Sequence, residues 1–441
     1  MMTSRNLDLA SLLRILALYA VLVVYGLAYQ YFYSDQLTPL FHDELTAYDY
    51  SKAHVYIIIA FLTPLAILPI GTTLRAPGQF IAAALTVFVF VPIPMVFAAM
   101  VGEPEFWSVY SLLWLGYLAV CTLSSMSIKL KLPAISERRF DAVVIVLCML
   151  IGLGLLYVLA TNRFSLVGLN QAHEERNSVT VSGLQGYLGV GYVASYGGLI
   201  VAMALMYRKY WLLPLALAGF VICYGTLEGR NAALMPPWIV YLYLSHKWFF
   251  RDSVAKLVTA LIAPFILGML TIALLGEIID RSSFIYDAFT LANYRLYSIP
   301  GIGFNAYYLY FATHPFDHWS HINIIGQFVS NPYGQPLGDV MDDAYHQGSY
   351  NAAFLETDGL AAAGVSSLPF ISLFFGFVLL AINSCMRGLN PTLLAVVTAG
   401  ASIALIDTGI GPALVSNGLA FLAIFMLFVP RHASWNLRHL T

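Results

Sequence analysis

Five arginines stand apart from the other cations of this chain. Arg163 and Arg176 fall in one polar stretch, Arg281 and Arg295 in another and Arg230 in a short turn between two apolar runs, and Lys52 is the one lysine that accompanies them. A planar guanidinium grips phosphate oxygens bidentately and stays charged in any surroundings, so the set suits a lipid-linked phosphate or diphosphate at a membrane surface. Pairing with a carboxylate or a headgroup is the simpler role for Arg163 and for Arg281, which follows Asp280, and Glu228 is the simplest partner for Arg230. Acid–base chemistry has fewer candidates. Asp358 lies near the outer end of an apolar run, where desolvation raises a carboxylate's affinity for protons and makes it the first candidate for a general base. Glu356, His346 and the Asp342–Asp343 pair are the alternatives. His314, His318 and His321 form an H-x3-H-x2-H run, but no outer cysteine or helical HExxH accompanies it, so an interfacial or sugar-binding surface is expected there rather than zinc. Asp339, Asp342 and Asp343 read as a solvated loop.

The elements that position these residues follow from composition. With 60% hydrophobic residues, 10% charged residues and a mean hydropathy of +0.77, the chain lacks the charged surface of a soluble enzyme of 441 residues. The 21 Lys and Arg form no patch and the net charge is −2, which excludes a basic nucleic-acid binder. Cys121, Cys148, Cys223 and Cys385 sit in or at the edge of apolar runs without a CxxC, against a disulfide framework or a thiolate metal site.

Runs of about 20 apolar residues cross a bilayer. Scanning for them predicts an all-α polytopic membrane protein with about twelve spans, at 9–31, 53–72, 79–101, 107–125, 141–160, 184–207, 211–226, 232–247, 254–278, 354–383, 389–407 and 412–430. Fifteen cations, from Arg5 to Arg438, then fall on one side and six on the other, so the positive-inside rule places both termini in the cytoplasm. The first span is too long for a cleaved signal core and is expected to remain as an anchor. The whole of 1–441 reads as one integral membrane domain, with outer loops at 161–183 and 279–350. An amphipathic re-entrant or surface helix is predicted over 289–313, with Tyr294, Tyr297, Phe304, Tyr307, Tyr308, Tyr310 and Phe311 as interface anchors or sugar-stacking rings.

Gly229-Arg230 before an apolar span, an arginine in the large outer loop, and the run from Asn351-Ala352-Ala353-Phe354-Leu355-Glu356-Thr357-Asp358-Gly359-Leu360 to Gly364 resemble the O-antigen polymerase and ligase superfamily. The closer likeness is to the Wzy oligosaccharide repeat-unit polymerases, which have about a dozen helices and two outer loops with essential arginines, each followed ten residues later by glycine. Arg176 and Gly186 keep that spacing; after Arg295, position 305 is Asn305. The likeness covers most of the chain as topology and about 50 residues as motifs. The ligases carry a His-Asn pair where this chain has Tyr350-Asn351, a departure that favours polymerase and bars carrying over the ligase's base.

The resemblance implies a GT-C-like glycosyltransferase with short helices in its large periplasmic loop. It would polymerise undecaprenyl-diphosphate-linked oligosaccharides at the periplasmic face of the bacterial inner membrane. Diphosphate is already a good leaving group, so arginines can replace a metal, and neither metal nor other cofactor is expected. Arg176, Arg230, Arg295 and Arg281 are then the diphosphate set, and Tyr350, Asn351 and Tyr297 the glycan contacts. Partners would be the lipid-linked substrates, membrane lipids and a polysaccharide co-polymerase that regulates chain length, with no nucleic acid. An O-antigen ligase or other GT-C transferase is the alternative, followed by a secondary transporter or flippase. The gathering of charge at the outer mouth rather than at mid-membrane weighs against the transporter.

Overall fold

The computed structural model describes residues 9–32, 50–130, 136–166, 183–206, 208–275, 293–322, 325–345, 355–389, 391–406 and 408–430. Their regular elements are all helices, and their sole β feature is an isolated bridge between Thr73 and Ser253. In chain order the helices are α1 (Leu9–Phe32), α2 (Ala53–Ile67), α3 (Pro77–Leu85), α4 (Pro92–Met100), α5 (Glu103–Ser124), α6 (Glu137–Thr161), α7 (Gly183–Gly191), α8 (Gly197–Met206) and α9 (Leu212–Cys223). There follow α10 (Gly229–Ser245), α11 (Val254–Leu275), α12 (Ile299–Phe311), α13 (Leu337–Tyr345), α14 (Leu355–Ala363), α15 (Leu368–Cys385), α16 (Pro391–Ala404), α17 (Ile410–Leu414) and α18 (Leu419–Leu427). Among the described residues, nine helices are long and apolar enough to cross a membrane, so the chain is an α-helical multi-pass membrane protein. The segments predicted at 211–226, 232–247 and 389–407 are helical as well, but they fall outside those nine.

Tracing the spans sorts the turns onto two ends of the bundle. One end gathers Arg75, Lys129, Arg138, Arg139, Lys209, Arg251 and Arg387. It is laced by Asn383, whose carboxamide accepts from Gly78 N–H at 2.6 Å and donates to the carbonyls of Ser124 and Met126 at 2.7 and 2.9 Å. The opposite end, poor in cations, is closed where Lys52 donates to the carbonyls of Ala98 and Val101 at the C-terminus of α4. Next to it, His54 Nε2 lies 3.0 Å from Glu103.

Close packing without a strong hydrophobic drive between helices demands small residues. The α5–α15 pair is built that way: a Cβ on Gly116 would stand 2.6 Å from Ser372 Oγ, and one on Gly376 2.6 Å from Leu123. The helix of α3 and α4 is fully enclosed at the centre, and a π turn at Thr86–Phe90 joins its halves. Such a turn releases carbonyls from the helical ladder, and tyrosines take them up: Tyr25 donates to Val87 O at 2.6 Å, and Tyr29 to Tyr297 O, in another π turn at Tyr294–Ser298, at 2.7 Å.

Of the helix predicted over 289–313, Tyr294–Phe311 is described and helical, and its first half lies in the bundle interior. Its first π turn lies beside Leu261 and Phe265, part-way along α11, and level with Phe88. From there α12 runs to the cation-poor end, where Tyr308 donates to Glu105. It is a re-entrant half-helix. Gly301 lets it seat on α4, since a Cβ there would meet Val96 at 2.6 Å. Its other neighbour is α14.

Candidate functional site

The span predicted at 354–383 is broken in two, and the break makes the site. Gly364 at φ +72° ends α14, in a left-handed conformation that suits glycine, and Pro369 opens α15. The membrane-crossing segment is Val365–Cys385, and α14 with its two carboxylates precedes it. Thus Glu356 and Asp358, expected just inside a span, lie on a separate short helix buried at the cation-poor end.

Asp358 is wholly enclosed. Its Oδ2 accepts the Ile410 N–H at 2.8 Å, while Oδ1 has no hydrogen bond among the described residues and stands 3.7 Å from His321 Nε2. The other ring nitrogen of His321 bonds the carboxylate of Asp317, itself fully buried. An Asp317–His321–Asp358 chain results, with the histidine between two acids. The loop that carries it is strained: His318 and Trp319 adopt φ of +51° and +60°, uncommon for residues with a side chain. Asp317 holds that loop by accepting the backbone N–H groups of Trp319 and His321 at 3.2 and 3.4 Å, and its own N–H donates to Ala361 O at the end of α14 at 2.9 Å. Phe316 packs against Gly364, where a Cβ would come within 2.9 Å of its ring. Across the site, a Cβ on Gly409 would stand 2.5 Å from both oxygens of Asp358, so only glycine lets the carboxylate reach Ile410.

Burial sets the electrostatics. It pushes Asp358 up to about 6, against the pull of the His321 charge and the Ile410 hydrogen bond. Glu356 is pushed further, to about 8, by burial and then by the charge of Asp358, and neither of its carboxyl oxygens makes a side-chain hydrogen bond among the described residues. For His321 burial acts downward, but the Asp317 hydrogen bond and the charges of Asp358 and Asp317 outweigh it and the ring is raised above its ordinary value. At neutral pH the arrangement therefore holds an ionised Asp358 of elevated basicity, a protonated Glu356 two residues away, and an imidazole whose charged form is favoured by the carboxylates on either side.

Of the residues expected from sequence, the structure brings Asp358 and Glu356 together on α14. His346, Tyr350 and Asn351 lie outside the described residues, as do Arg176 and Arg281. Arg230 is in the first turn of α10, and Arg295 is in the π turn between buried Asn293 and buried Tyr297. Tyr297, expected as a glycan contact, is buried: its ring is enclosed by Phe88 and Phe265, with centroids 5.1 and 4.8 Å away, and its hydroxyl donates to Leu261 O at 3.0 Å. Asp342 and Asp343, read as part of a solvated loop, are on the exposed face of the amphipathic helix α13.

The three histidines do not converge. His314 lies flat on Tyr310, His318 is exposed beside Phe316, and His321 turns inward to Asp317. Among the described residues no group of three or more His, Cys, Asp and Glu is disposed to hold a metal ion. The sequence reading missed Asp317 and Gly409 and gave His321 no acid–base role. The i, i+4 spacing of Asp317 and His321 was the available signal; nothing local pointed to Gly409. No protein-family model, no curated protein and no solved structure matches this chain.

Proposed function

We propose that this protein is a GT-C-like membrane glycosyltransferase of about twelve spans that polymerises undecaprenyl-diphosphate-linked oligosaccharide repeat units. In this reading both termini are cytoplasmic, the cation-poor end faces the periplasm, and the membrane is the bacterial inner membrane. One observation carries it: two buried carboxylates, Asp358 and Glu356, whose affinities for protons are pushed apart, one of them tied to a buried Asp–His pair. Such splitting assigns base and acid roles within one site. The resemblance of Arg176 with Gly186, of Gly229-Arg230 and of the Asn351–Leu360 run to Wzy polymerases supplies the substrate class.

The acceptor hydroxyl oxygen bonds to the anomeric carbon of the donor, and its proton passes to Asp358. The bond from that carbon to the diphosphate oxygen breaks, and undecaprenyl diphosphate departs with the electron pair. His321, held by Asp317, steadies the ionised Asp358 and gives up none of its own protons in this step. Glu356 stays neutral and can donate a hydrogen bond to a sugar oxygen. The guanidinium groups of Arg176, Arg230, Arg295 and Arg281 are assigned to the diphosphate. Because Asp358 is closed to solvent, substrate entry requires the residues that enclose it to move.

The test is incubation of the purified chain in lipid nanodiscs with a defined undecaprenyl-diphosphate oligosaccharide, without ATP or added metal, and mass analysis of products. A ladder of whole repeat units with released undecaprenyl diphosphate is expected, and Asp358→Asn should abolish it while leaving lipid-substrate binding largely intact. Normal product length and yield from folded Arg176→Ala, Arg230→Ala and Arg295→Ala proteins would remove the diphosphate site. Transfer of one intact glycan to a separate lipid acceptor would mark a ligase instead. A second reading, proton-coupled transport, is favoured by Glu356 alone, a buried neutral carboxyl without a side-chain partner among the described residues. PH-driven substrate movement across proteoliposomes with no product ladder would select it.

A further inference from the structure

We propose that an open cleft of about 550 Å³, formed where the end of α12 meets α13 and the 333–335 turn, is a saccharide subsite for an uncharged or amine-bearing glycan. Its volume falls within the roughly 300–1,000 Å³ of small-molecule sites. Four rings line it: Tyr310, His314, Tyr333 and Tyr345. Tyr310 and His314 lie flat on each other, with centroids 3.9 Å apart and an interplanar angle of 6°, and Tyr333 stands 6.0 Å from Tyr310 at 51°. Flat and tilted rings together suit the apolar C–H faces of pyranoses. The rings are held before any ligand arrives, since Tyr333 donates to Pro315 O and Tyr345 donates to Ala306 O at 3.2 Å, which lowers the ordering cost of binding.

Polar groups suited to sugar hydroxyls share the wall: Gln335 Nε2 donates to Asp343 Oδ2 at 2.9 Å, so amide and carboxylate sit side by side. Among the described residues the lining contains no Lys or Arg, and Asp339 and Asp342 are exposed on the same helix as Asp343. That field repels uronate or phosphorylated sugars and favours neutral or amino sugars. The cleft also adjoins the carboxylate site. Pro315, to which Tyr333 bonds, is two residues before Asp317, and Tyr333 is within electrostatic reach of that carboxylate. A glycan held here would extend toward Asp358.

The assignment of that glycan as the polymer under construction rests on the proposed function; the saccharide subsite does not. The test uses the full-length chain in nanodiscs and saturation-transfer NMR with free oligosaccharides of three kinds: neutral, amino-sugar and uronate. Binding of a neutral or amino-sugar probe is expected. Gln335→Ala, a change in an open turn that spares the core, and Tyr310→Leu should each weaken it at least about tenfold. The subsite falls if no neutral or amino-sugar probe binds, if uronates bind best, or if Gln335→Ala and Tyr310→Leu both leave binding unchanged. Binding that these variants weaken, in a protein that makes no polymer, would overturn the polymerase and leave the subsite standing.

Discussion

His321→Asn separates a base steadied by charge from a merely buried acid. Asparagine keeps a donor where Nδ1 bonds Asp317 and removes the ring that, when protonated, places a positive charge 3.7 Å from Asp358. At that distance and an effective dielectric of about 20, the lost attraction is about 4 kcal/mol. Taking half of it for relaxation of the site leaves about 2 kcal/mol, roughly a thirtyfold change in the ratio of ionised to protonated Asp358. The starting point is about 6, so the ionised fraction at pH 7 falls from about nine tenths to about one quarter. The unopposed charge of Asp317 acts in the same direction. The acidic limb of the rate profile should therefore move up past neutrality, with about a fourfold loss of single-turnover rate at pH 7 that is recovered by pH 9. The assay is formation of the first glycosidic bond from the lipid-linked oligosaccharide in nanodiscs, measured from pH 5 to 9. A loss of equal size at every pH, or a profile identical to that of the parent protein, would refute the reasoning.

Gly409→Ala places a methyl 2.5 Å from both Asp358 oxygens at a φ of −66° that alanine tolerates, so turnover should drop at least about tenfold while the strain costs about 1–3 kcal/mol in denaturation. Glu356 has a folded value near 8, above its ordinary 4.5, so its contribution to stability is present in acid and is lost as pH rises through about 8. Glu356→Gln should accordingly melt higher than the parent at pH 8–9 and close to it near pH 4.5, as read by thermal denaturation in detergent; equal melting at both would place the carboxyl in water. Asn383→Ala strips one N–H and two carbonyls of their partners and should destabilise the protein by about 2–4 kcal/mol without touching the pH profile.

Hydropathy is a sum over neighbours in the chain, so the helical segments were legible from composition alone, including those at 211–226, 232–247 and 389–407. The same locality made Asp358 and Glu356 conspicuous, since two carboxylates beside an apolar run must be desolvated. What each carboxylate meets is decided by residues far away in sequence. Asp358 depends on His321 and on Ile410, and on Gly409 leaving room, contacts that exist only once the 312–322 loop and the turn before α17 close over α14. Tyr297 shows the limit from the other side: an outer-loop tyrosine suits an interface or a sugar equally well, and only the re-entrant path of the chain carries it down to Phe88 and Phe265. A residue's type is a property of the chain and sets what it can do, whereas the partner that decides what it does is brought by tertiary packing.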